Sequence, residues 1–91
     1  MKSETLTAKL KAGEIVALKR TQWEDVAADF AVKDTIETGM AGQILLLRRP
    51  LWALVEEPTP TERVVRPMKN EKEARALIQE RLAAYERMWD G

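Results

Sequence analysis

Neither cysteine nor histidine occurs in this sequence. Without thiols, no disulfide can staple the chain and no thiolate can bind zinc or attack an electrophile. Without imidazole, the commonest general base and the commonest metal ligand are both missing. Acid–base chemistry would fall to a carboxylate, a lysine or the single Tyr85 with a strongly displaced pKa, and no spacing nominates one. The chain is therefore expected not to be a self-sufficient enzyme, and no cofactor-binding or metal-ligand pattern is present. Gly39 and Gly42 lead into a strand pattern and lack the lysine and hydroxyl residue of a phosphate loop. Asp25 and Asp29 would share one helix face, but two carboxylates read as solvated surface rather than as a cation site.

Other scarcities narrow the reading further. No apolar run approaches the ~20 residues of a membrane span. The first thirty residues hold no apolar segment of the secretory type, so the cytoplasm is the expected location and no membrane partner is expected. Charge of one sign is also missing: 15 basic and 15 acidic side chains leave a net charge of zero. Basic groups predominate in residues 1–20 and 48–69, acidic ones in 21–47. That bipolar distribution is not the basic field of a nucleic-acid binder, so nucleic acid is an unfavoured partner.

What is present fits one domain over residues 1–91, since a chain of this length buries roughly 60–65% of its unfolded surface. The spacing predicts an α+β fold: an antiparallel sheet of four to five strands with a long C-terminal amphipathic helix. That helix is expected over 71–89. Asn70 caps it and Glu73 completes a capping-box pattern. Ala74, Leu77, Ile78, Leu82, Tyr85, Met88 and Trp89 recur at three- and four-residue steps. Glu71 and Arg75 are placed to pair at i,i+4, and Gly91 is expected to terminate the helix. Three short apolar runs, Ile44–Leu47, Trp52–Val55 and Val64–Val65, are separated by Pro50 and by Pro58-Thr59-Pro60. They read as a meander over 43–66. Leu6, Ala8 and Leu10 alternate, Ala12-Gly13 offers a turn, and Ile15–Leu18 follows, which reads as a hairpin over 5–19. Trp23, Val26, Ala27, Phe30 and Ala31 favour a short helix near residues 23–34, with a strand through Phe30, Val32 and Ile36 as the alternative.

Gly39-Met40-Ala41-Gly42-Gln43-Ile44 followed by Trp52-Ala53-Leu54-Val55-Glu56 resembles the turn and strand pair of small SH3-like barrels. Gly13-Glu14-Ile15-Val16 would then supply the first barrel strand. The resemblance covers about half the chain. It implies a compact barrel that binds a peptide, RNA or a partner subunit, although only five aromatics (three Trp, one Tyr, one Phe) exist to line a binding face.

Two candidate surfaces follow. Ile44–Leu47 reads as a strand apolar on both faces, which needs cover on both. If the C-terminal helix covers one, another protein surface could cover the other. This points to a non-catalytic interaction module, either a homo-oligomer or a small accessory subunit of a larger enzyme. Its expected interface is Leu45, Leu47, Trp52, Tyr85, Met88 and Trp89, because tryptophan and methionine are enriched at interface cores. The alternative is an SH3-like barrel binding RNA or another anion through Arg48, Arg49, Arg63 and Arg66. Cross-strand ion pairs with Glu56, Glu57 and Glu62 would use those arginines instead.

Overall fold

The computed structural model describes residues 1–39 and 42–90, the side chains of 89 and 90 excepted. Five antiparallel strands form one open sheet in the order β1-β5-β4-β3-β2, with β1 at Val16–Lys19, β2 at Ala31–Glu37, β3 at Gln43–Arg49, β4 at Ala53–Thr59 and β5 at Glu62–Pro67. Strands β2 to β5 form a meander, the last three of them where the apolar runs place them. β1 pairs with β5 and β2 with β3, so the two edges do not meet and no barrel closes. The expected first barrel strand, Gly13–Val16, contributes only its last residue to β1.

The predicted 5–19 hairpin is not formed. Its first half is a helix, α1 at Ser3–Lys11, which buries Leu6 and Leu10 and leaves Ala8 exposed. Period 2 and period 4 coincide at Leu6 and Leu10, and only Ala8 distinguishes them; an alanine is too weak a signal to decide. Gly13 is not a hairpin turn either. Its N–H donates to Leu10 O at 2.9 Å and the Glu14 N–H donates to Lys9 O at 3.1 Å. With Gly13 at φ +88°, this is a Schellman C-terminus, which requires a left-handed residue. Glu4 in the first turn and Lys9 and Lys11 in the last suit the helix dipole.

The helix expected near 23–34 is shorter and earlier. α2 spans Arg20–Ala27, and residues 31–34 belong to β2, as the strand alternative has it. Phe30 imitates helical spacing: it follows α2 yet still packs on Trp23, with ring centroids 5.5 Å apart, because a turn closed by the Phe30 N–H donating to Ala27 O at 3.1 Å keeps it beside the helix. Asp29 therefore lies beyond α2 and does not share a helix face with Asp25.

The last helix, α3 at Glu71–Asp90, agrees with the sequence reading. Asn70 Oδ1 accepts from the Glu73 N–H at 2.9 Å, and Glu73 Oε2 accepts from the Lys69 N–H at 2.6 Å. Gly91, expected to end it, lies outside the described residues.

Two cores share the sheet. On one face, α1 and α2 cover Val16, Leu18, Leu47, Ala53, Val55 and Val65. On the other, α3 places Ala74 and Ile78 over Ile44, Leu46 and Leu54. Adjacent residues Leu46 and Leu47 are each 0% exposed, one in each core. The layer that the sequence left missing is thus α1 with α2.

Candidate functional site

The burial of both faces redistributes the predicted interface. Leu47 is fully buried and Leu45 is half-buried against the α1/α2 core, so neither offers a free surface. Trp52 is half-buried beside the α3 core, and Lys33 Nζ lies 5.5 Å above its ring. Tyr85 is half-buried, and Met88 is 67% exposed. The Trp89 side chain lies outside the described residues. Of the six positions, Tyr85 and Met88 alone bring described side chains to the distal part of α3.

The four arginines do not converge. Register places Arg63 opposite Leu18, on the α1/α2 face, and Arg66 opposite Leu54, on the α3 face. Arg63 is committed to the β4–β5 turn: its Nη1 donates to Glu62 O at 2.7 Å and Thr59 O at 3.2 Å, and its Nη2 lies 3.5 Å from Glu57. Arg66 Nε lies 3.5 Å from Glu56 Oε1. Arg48 and Arg49 are exposed at the end of β3 and form no ion pair among the described residues. The cross-strand pairing weighed against an anion cluster is therefore the use of Arg63 and Arg66.

α3 is tied to the sheet at two points. Near its start, Arg75 reaches Asp34 at 2.8 Å and Glu71 at 3.1 Å, and Lys33 reaches Glu71 at 2.8 Å. Both Lys33 and Asp34 can face the helix because β2 is irregular between Val32 and Asp34. Such a bulge sets successive side chains on one side. The hydrogen bond from Arg75 holds the Asp34 carboxyl below its usual range, and that from Lys33 does the same for Glu71, each against a smaller opposing effect of desolvation. Further along, Glu56 Oε2 takes Arg81 Nε at 2.8 Å, and this carboxylate raises the Arg81 pKa. Sequence reasoning named Glu56 as a partner for the sheet arginines, which Arg66 bears out, but missed Arg81 and Lys33, since a contact from strand to helix leaves no periodic trace.

The first of these ties has a definite pH dependence. Both carboxylates have folded pKa values below their unfolded ones, so their contribution is present above the carboxylate range and is lost as pH falls through the folded values. Thermal midpoints are expected to fall below about pH 4, and Asp34→Asn with Glu71→Gln to fall less steeply over that interval. Parallel curves for the two proteins would show that the tie contributes nothing. The effect is expected to be small, because the pair is exposed and screened.

The edges of the sheet are poor docking sites. β1 has four residues, and β2 carries Lys33, Asp34 and Glu37 with its bulge, devices that discourage strand addition. Among the described residues the exposed large apolar side chains are Met1, Ile15, Val32 and Met88, far apart in the sequence. Among the described residues no group of acidic side chains could hold a metal ion, and no helix is long and apolar enough to cross a membrane. No protein-family model, curated protein or solved structure matches this chain.

Proposed function

We propose that this chain is a non-catalytic interaction module of the cytoplasm that pairs with a second copy of itself through the distal end of α3. The observation that carries the reading is where the helix stops packing. Its buried positions are Ala74 and Ile78, its side chains from Arg81 to Tyr85 are half-buried, and Glu86, Arg87 and Met88 are all exposed. A helix exposed on successive residues has run past its sheet, and here it carries the most exposed large apolar side chain among the described residues, Met88 at 67%.

A second copy suits this end for two reasons. The chain has no net charge, so two copies do not repel one another at long range. Glu86 and Arg87 stand side by side, and in an isologous contact each can face its opposite on the partner. The contact is small, so a weak dimer is expected, dissociating on the order of 10–100 μM. The absence of cysteine and histidine supports a role in binding rather than in chemistry.

Sedimentation of two variants tests this. Met88→Glu is expected to abolish association, and Val32→Glu, an exposed apolar site on β2, to leave it intact. Equal association of Met88→Glu and the natural chain would rule out the α3 end. A natural chain that stays monomeric at every concentration would leave the small accessory subunit, waiting for a different partner, as the better reading.

A further inference from the structure

A cleft of about 210 Å³ lies between α3 and the β4–β5 hairpin, with Glu56, Val64, Arg66, Arg81 and Tyr85 among its walls. Its geometry is set by one carboxylate. Glu56, with its side chain 13% exposed, takes Arg81 Nε at 2.8 Å on one oxygen and has Arg66 Nε at 3.5 Å from the other. Arg66 Nε is buried and, despite that proximity, makes no hydrogen bond. Both guanidinium groups thus turn their Nε edge to Glu56. Their Nη atoms, the forked donors that suit oxyanions, stay outside these two closest contacts with Glu56.

The charge count points the same way. Arg66 and Arg81 bring two positive charges against the one of Glu56. Glu57, which also borders the cleft, lies 3.5 Å from Arg63 and accepts from the Gln43 N–H at 3.4 Å. Glu80, outside the cleft walls, acts on Arg81 less than Glu56 does, and Glu57 is drawn to Arg63, so the walls beside the phenol of Tyr85 keep a partial excess of positive charge. Arginine forks recognise planar and tetrahedral oxyanions through paired N–H donors.

We propose that this cleft binds a small oxyanion, a phosphate or a carboxylate, held by the Nη atoms of Arg66 and Arg81 with the Tyr85 hydroxyl as a further donor. The ligand is either a free or esterified phosphate or the carboxylate of an acidic side chain. Two partly exposed forks imply a dissociation constant of about 1 mM.

The Arg66 and Arg81 Nε–Hε signals of the full chain, followed by NMR at fixed ionic strength, test the site. Inorganic phosphate, acetate and an N-acetyl-aspartyl peptide are titrated separately, with chloride as the control. The expected result is a saturable shift of both signals. Tighter phosphate binding assigns a phosphate ligand, and tighter peptide binding assigns an acidic side chain. Arg81→Lys keeps the charge and a good helix former but loses the fork, and is expected to weaken binding roughly tenfold. Arg66→Lys is expected to do the same, and Arg48→Ala with Arg49→Ala to change nothing. A linear drift no different from that of chloride overturns the proposal, as does saturable binding that Arg81→Lys leaves intact. Binding is expected to persist in Met88→Glu, so this site and the self-association stand or fall separately.

Discussion

Replacing Leu6 by alanine is expected to lower folding stability by about 2–5 kcal/mol, while Ala8→Glu is expected to change it by less than about 0.5 kcal/mol. Leu6 is 0% exposed in the core beneath α1 and α2, so truncation leaves a cavity that packed neighbours can fill only in part. Ala8 points to solvent on the opposite side of α1. The contrast separates helix from hairpin. A strand would turn Leu6, Ala8 and Leu10 to the same core, and a glutamate at Ala8 would then be as damaging as the loss of Leu6. For a domain with a total stability of 5–15 kcal/mol, the Leu6 loss is large enough to read from a urea midpoint. Comparable losses at Leu6 and Ala8 would overturn the helical assignment of residues 3–11.

Leu47→Ala is expected to cost a similar amount, about 2–5 kcal/mol, and to leave the oligomeric state of the surviving folded protein unchanged. Leu46→Ala is expected to cost as much, from the opposite core. The two residues are consecutive on β3, each is 0% exposed, and each is covered by a different helical layer. If Leu47 instead met a partner, its truncation would weaken association and leave the isolated chain's stability almost untouched. Denaturation and sedimentation of the same two variants distinguish these outcomes. The two cores are unequal: the cluster shared by α1, α2 and the sheet holds eleven buried residues, the one shared by α3 and the sheet five, the helices' own included. Loss of Leu46 is therefore expected to loosen α3 first, and amide exchange in α3 is expected to accelerate before that of β4 and β5.

What was legible in the sequence follows from how local each signal is. α3 could be read residue by residue because its cap, its periodicity and its i,i+4 pair all lie within one segment. The β3–β4–β5 meander could be read because prolines and a turn punctuate three apolar runs. α1 could not be told from a strand because both bury the same two leucines there. Gly13, which decides between them, suits a hairpin turn as well as a helix C-terminus, and the lysines at 9 and 11 before it are the signature of the latter. α2 was displaced because Trp23 and Phe30 touch across a change of direction, which imitates helical spacing. The second apolar face of Ile44–Leu47 does need cover, but half of that cover, α1, lies in a segment whose pattern reads as strand, which is why Leu45 and Leu47 fall to an interface in the sequence reading. The grouping of the four arginines supposes that pairing within the meander gathers them at one sheet end, whereas strand register sends Arg63 and Arg66 to opposite faces. The pairing of Glu56 with Arg81, 25 residues apart, could not be read from either segment alone.

Self-association through the end of α3 is the central functional claim, and molecular mass by light scattering over a dilution series tests it most directly. A mass near that of two chains is expected at high concentration, falling towards the 10.4 kDa of one chain on dilution, with Met88→Glu at the single-chain value throughout. A mass of one chain at every concentration would contradict it, as would a dimer that Met88→Glu leaves whole.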